Sequence, residues 1–270
     1  MRGVFAALMW LVATASLVVT IGAGWTALNV QDEDGFVAMA SRLGDDTEVQ
    51  EAAADLAGEA FADQPSVPAS FHDPVATAMS RAVLRLTSSD GWDDAWRATV
   101  RDTHRRLYSE PTPTDVRVDV APIIDVAVDE VSRTIPVPVP SPDELLVVVN
   151  EEDPGPFVEA TSRAGSLALV AAVVGAVAAL LALVAARRRS TMLAALGLGA
   201  VLAAGAWWLA GRTLLPSFVD RNSETTAHGR ALSNVVTERV VASLDPTLLW
   251  VALVGVVVAG LGLASRALRS

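Results

Sequence analysis

The sequence predicts a membrane protein, mostly α, with four transmembrane helices and a small α+β extracytoplasmic domain. Three observations predict it. Apolar runs free of ionisable side chains cover residues 4–24, 167–186, 192–210 and 248–264, each close to the ~20 residues that cross a ~30 Å hydrocarbon core at ~1.5 Å per residue. The acidic residues lie elsewhere: 27 of 31 fall between residues 30 and 163, against 10 Arg, so this stretch is near −17 while the whole chain is −11. Finally, Arg187, Arg188 and Arg189 stand together between the second and third apolar runs.

The arginines set the expected threading. Short loops at the ends of spans carry their Lys/Arg excess on the cytoplasmic side, so the Arg187–Arg189 turn belongs inside. Arg2 ahead of the first run, and Arg266 and Arg269 behind the last, agree with it. The expected organisation is then a first transmembrane helix over residues 1–26 and an acidic extracytoplasmic domain over 27–163. A transmembrane hairpin follows over 164–211, then an external amphipathic segment over 212–246, and a fourth helix with its tail over 247–270. This describes a multi-pass protein of the plasma membrane with its large domain outside and both termini in the cytoplasm. The first run is read as a signal anchor. The competing reading is a cleaved signal peptide, whose apolar region is usually only ~7–15 residues.

Composition excludes several classes. There is no Cys, which removes disulfides, thiolate metal sites and cysteine nucleophiles. All 20 positive side chains are Arg. An acidic block beside basic membrane flanks argues against nucleic acid, which requires clustered cations to displace phosphate counterions.

Inside the acidic block, Asp45 with Glu48 reads as the capped start of a helix whose stripe is Val49, Ala53, Leu56 and Ala60. Asp73-Pro74 reads as the N-cap and first residue of a second helix, with Val75, Met79, Ala82, Val83 and Leu86 inward. Ser89 or Asp90 starts a third, whose face is Trp92, Trp96, Val100, Thr103 and Leu107. After Pro111 and Pro113 the period changes. Val116, Val118 and Val120 alternate with Arg117 and Asp119, as a half-buried strand requires. Ile124, Ala127, Val128, Val131 and Ile135 return to helical spacing, Pro136 to Pro142 form a connector, and residues 145–149 form a second strand. Strand, helix, strand predicts a crossover unit with a parallel pair. Beyond the hairpin, Trp207 and Trp208 fall at an interface, Leu232, Val235, Val236 and Val240 form an amphipathic stripe, and Pro246 begins the last span.

Signatures of chemistry are sparse. Asp32-Glu33-Asp34-Gly35 opens like a calcium loop, but Phe36 and Leu43 occupy the positions where further oxygen ligands are required. His72, His104 and His228 lack metal-ligand spacing, and no GxSxG elbow occurs. No cofactor and no metal are expected, and no enzyme activity. Within the spans, small residues recur at Ala171-Gly175-Ala179, Ala195-Gly199-Ala203 and Gly255-Ala259, which permits close helix contact. The densest cluster is on the third helix: Trp96, Val100 and His104 at spacing i, i+4, i+8, with Arg97, Arg101, Arg105 and Arg106 on the same element. Trp96, Arg101, His104 and Arg105 are the candidate binding residues, with a packed core helix as the competing account.

The order of an N-terminal span, a helix "GWDDAWRATVRDTHRRLY", a strand "VRVDVAPIIDVAVDEV" and two spans joined by "RRR" resembles a group of uncharacterised four-span integral membrane proteins of actinobacteria. Trp96, Ala98, His104, the strand around Val118-Asp119-Val120 and Pro122 carry the resemblance. It implies the layout and no activity. The expected function is that of a non-enzymatic accessory or scaffold component of the cell envelope. Its expected partners are membrane lipids and another envelope protein, and its oligomeric state is open. The alternative is a transporter or lipid-handling protein with a groove in the ectodomain or between the spans.

Overall fold

The computed structural model describes residues 2–109, 114–134, 144–150, 153–222 and 227–267. In chain order they form α1 (Arg2–Thr26), α2 (Glu33–Ala40), α3 (Thr47–Ala62), α4 (His72–Leu86), α5 (Asp90–Leu107), β1 (Val116–Asp119) and α6 (Ala121–Thr134). Then come β2 (Leu146–Asn150), α7 (Gly155–Ser162), α8 (Ala164–Ala185), α9 (Arg189–Asn222) and α10 (Ala227–Ala267). They make two compact units: Met1–Gln31, Thr161–Asn222 and Thr237–Ser270 in one, Asp32–Ala160 and Ser223–Val236 in the other.

The helices long and apolar enough to cross a membrane run over Arg2–Gln31, Gly155–Ala185, Arg189–Thr213 and Arg239–Ala267, and they fall in the first unit except for residues 155–160. Large apolar side chains such as Leu169, Val184, Leu253 and Val256 are exposed along them, as a lipid-facing surface requires. Small residues make the contacts. Gly175 of α8 meets Ser16 of α1, Gly199 of α9 meets Thr14, and Gly197 of α9 lies against Gly255 and Ala259 of α10. Two tryptophans tie α9 to α1 by direct hydrogen bonds: Trp10 Nε1 donates to the Ala195 carbonyl at 2.7 Å and Trp207 Nε1 to that of Val18 at 2.8 Å. In each case one helix gives a carbonyl that its own backbone already uses, so no orphan is created.

Pro246 does not begin the last span. It lies inside α10, which is helical from Ala227 onward. Leu244 and Leu248, on either side of it, are both buried with Ile21, Ala203 and Ala204. That packing supports the helix across the missing N–H, as is common where neighbouring helices flank a proline. The expected stripe Leu232, Val235 and Val236 lies outside the described side chains.

The acidic unit has a core of its own. Ala54 and Ala57 of α3, Met79, Val83 and Leu86 of α4, Trp92 and Ala95 of α5, and Ile123, Ile124, Ala127 and Val128 of α6 close on one another. Helix α3 is capped by Asp46 rather than Asp45, its carboxylate accepting the Glu48 N–H at 3.1 Å. Asp45 instead ends a 3₁₀ turn, Ser41–Asp45, that precedes the cap. The buried face of α3 accordingly turns to Val49, Ala54, Ala57 and Gly58, while Ala53 and Ala60 flank it. Gly58 is required there, because a Cβ would come within 2.6 Å of the Ala76 carbonyl of α4. Asp73 is not the cap of α4, which starts one residue earlier after a 3₁₀ turn, Ala69–Phe71. Pro74 still falls in the first turn, where no N–H is needed.

The two strands are antiparallel, not parallel, with Asp119 opposite Leu146, Arg117 opposite Val148 and Val116 opposite Asn150. Asp119 explains the outcome. Its Oδ1 accepts the N–H of Ala121 and the N–H of Leu145, each at 3.0 Å, and Val120 N–H donates to the Leu145 carbonyl at 2.9 Å. The chain thus leaves for α6 and returns to β2 at the same end of β1. Asp119 is therefore buried, whereas alternation assigns it to solvent. The Pro136 to Pro142 connector and the Pro111–Pro113 break lie outside the described residues.

Candidate functional site

Helix α5 carries two neighbouring rows at the same spacing, Trp92-Trp96-Val100-His104 and Arg97-Arg101-Arg105. From Trp96 onward the first row packs on α2, while Trp92 sits in the core formed with α3, α4 and α6. Trp92 is 2% exposed and donates through Nε1 to the Gly44 carbonyl at 2.9 Å. Trp96 stacks on it, ring centroids 5.7 Å apart, and donates to the Ala40 carbonyl at 3.0 Å. Gly44 has to be glycine, since a Cβ would lie 2.6 Å from Trp96 Cδ1. The two indoles therefore pin the end of α2 and the following turn. Val100 is buried with Val37 and Ala40 of α2. His104 is 5% exposed, with the Phe36 ring at 5.0 Å and the Tyr108 ring at 4.7 Å.

The arginine row would repel itself at i, i+4 spacing unless neutralised. Glu33, the first residue of α2, does this for two members. Arg105 donates from Nε and Nη2 to the two separate Glu33 oxygens, both at 2.9 Å, and Arg101 Nε stands 3.2 Å from the nearer one. The Arg105 hydrogen bond holds the Glu33 carboxyl below its ordinary value, outweighing desolvation. The charges of Arg105, Arg101 and His104 add to it. The same bond raises Arg105. Arg97 faces Asp94 at 3.3 Å and Asp93 at 3.5 Å. Arg106, on another side of α5, reaches buried Asp119 at 3.4 Å and also pairs with Glu144.

Between α2, the Ser41–Asp45 turn and α5 lies a cleft of ≈ 440 Å³. Its polar lining comprises the carboxylates Asp34, Asp45 and Asp93, the guanidiniums of Arg42, Arg97 and Arg101, and Ser41, beside the indole of Trp96. Of the residues singled out in the sequence, Trp96 and Arg101 line this cleft, while His104 and Arg105 do not. Arg187 and Arg188 are exposed in the turn between α8 and α9, and Arg189 opens α9. Among the described residues no group of three or more His, Cys, Asp or Glu is placed to hold a metal ion. Asp32 caps α2 by accepting the Gly35 N–H at 2.8 Å, a helix start rather than a cation loop. Nothing local in the sequence marks Glu33, Arg42 and Asp45 as site residues, because their neighbours on α5 are distant along the chain. The one available signal was the arginine row itself, which demands a carboxylate partner.

Fold and cleft together define a class: a membrane protein with four apolar helices and an acidic, mostly helical unit of separate core. No protein-family model, curated protein or solved structure matches the chain.

Proposed function

We propose that this chain is a non-enzymatic, four-span membrane protein that presents its acidic unit outside the cytoplasm as an interaction domain, serving as an accessory or scaffold component of the envelope. The observation that carries the reading is the presence of two unrelated hydrophobic cores. Ile21, Ala203, Ala204, Leu244 and Leu248 cluster in the apolar unit, and the core built on Trp92, Ile123 and Ile124 stands in the acidic one. Such a division suits an anchor and a presented domain. Arg189 supports the orientation. A cation at a helix N-terminus opposes the helix dipole by up to ~1 kcal/mol, so its place there is better explained by the rule that retains arginine on the cytoplasmic face. The resemblance to actinobacterial four-span proteins belongs to the same proposal.

Accessibility tags test the threading. Residues 110 and 225 are expected to react from outside intact cells, and residue 188 only after permeabilisation. External labelling at 188 would reverse the orientation and remove the reading.

One observation favours the lipid-handling alternative. Within the apolar unit, α1, α8 and α9 enclose a groove of ≈ 320 Å³ whose walls are chiefly Ala and Gly, with Thr14 and Thr20 as its hydroxyls. A photoactivatable phospholipid that crosslinks to α8 beside Gly175, and is blocked by Gly175→Leu, would favour that alternative.

A further inference from the structure

We propose that the cleft between α2 and α5 binds a neutral saccharide. The inference rests on the interaction-domain reading and names the chemical class that the domain takes. The argument starts from charge. The cleft sets three carboxylates against three guanidiniums, so a simple anion meets Asp34, Asp45 and Asp93, and a simple cation meets Arg42, Arg97 and Arg101. A neutral polyhydroxylated ligand uses both signs. Its hydroxyls donate to the carboxylates and its oxygens accept from the guanidiniums, and such charge-assisted bonds are about twice as strong as neutral ones.

Capacity for these bonds is present. Among the described residues, the side chains of Asp34, Arg42 and Asp45 have no hydrogen bond or ion pair of their own, and Arg42 and Asp45 are exposed. Trp96 adds an apolar surface for the C–H groups of a sugar ring. It is also fixed in place by its bond to Ala40 and its stacking on Trp92, so little ordering entropy is lost when a ligand meets it. At ≈ 440 Å³ the cleft falls within the ~300–1,000 Å³ of small-molecule sites.

The test uses the full chain in lipid nanodiscs, since glycoside detergents would compete. Saturation-transfer NMR is recorded with maltotriose, cellotriose, N,N′,N″-triacetylchitotriose and mannotriose. Transfer to at least one of them is expected. Arg42→Gln and Asp45→Asn should each weaken it roughly tenfold, the loss of one charge-assisted hydrogen bond, with the melting temperature unchanged. Silence from every trisaccharide, transfer that survives both variants, or competitive displacement by inorganic phosphate would each overturn the proposal. Silence here leaves the tagging pattern untouched and removes only this inference. External labelling at residue 188 removes the interaction-domain reading whether or not sugar binds.

Discussion

Trp92 and Trp96 stand one turn apart on α5, yet their surroundings differ. Trp92 is enclosed by α3, α4 and α6 residues, while Trp96 keeps part of its indole toward the cleft. Emptying a buried aromatic usually costs ~3–5 kcal/mol, so Trp92→Ala is expected to reach that range and Trp96→Ala to fall below it. Chemical denaturation of the two variants side by side checks the order, and a larger loss at Trp96 would contradict the packing described. Glu33 gives a prediction in pH. Its carboxyl is held below the ordinary value chiefly by the Arg105 hydrogen bond. A lowered carboxylate contributes stability that is complete above its unfolded pKa and is lost as pH falls through the folded one. Thermal midpoints should therefore decline in acid below the ordinary carboxylate range, and Glu33→Gln should flatten that decline while lowering the midpoint near neutrality. An unchanged acid slope in the variant would remove Glu33 from the account.

Elements are held together at a few points where a side chain substitutes for backbone pairing. Asp119 is the clearest, because one oxygen receives the N–H of Ala121 at the start of α6 and that of Leu145 just before β2. Asp119→Ala would orphan both donors at ~1–3 kcal/mol each, whereas Asp119→Asn keeps an acceptor oxygen. The expected result is a large loss of urea stability for the first and a smaller one for the second, with faster amide exchange at Leu145. Equal losses would mean that the charge toward Arg106, rather than the stitch, is what matters. Elements were largely legible beforehand: α4, α5 and α6 follow the apolar spacing, since a helix on a core must present a stripe every third or fourth residue. The ends were less legible. Two adjacent aspartates, Asp45 and Asp46, are equally suited to a cap, and the tertiary course of the preceding 3₁₀ turn chooses between them.

For the molecule as a whole, two units with separate cores should be separable. Residues 32–160 produced alone are expected to be soluble and to melt cooperatively, since the core on Trp92, Ile123 and Ile124 is completed within them. Circular dichroism through a thermal ramp is the check. Aggregation that is cured by appending residues 223–236, which group with this unit, would show that those residues complete it; aggregation that persists would contradict an independent core.

By itself the sequence determined the four apolar spans, because a bilayer core imposes a length and excludes charge, and both are read along the chain without any partner. It also determined that α5 is a helix of stacked aromatic and arginine rows, since helical spacing alone creates them. The tertiary structure decided where those rows point. Glu33 lies 72 residues from Arg105, and no local pattern announces that contact. It decided likewise that Asp119 turns inward and that β2 runs against β1, because both follow from where the chain returns after α6. Local periodicity records which residues share a face; only packing records what that face meets.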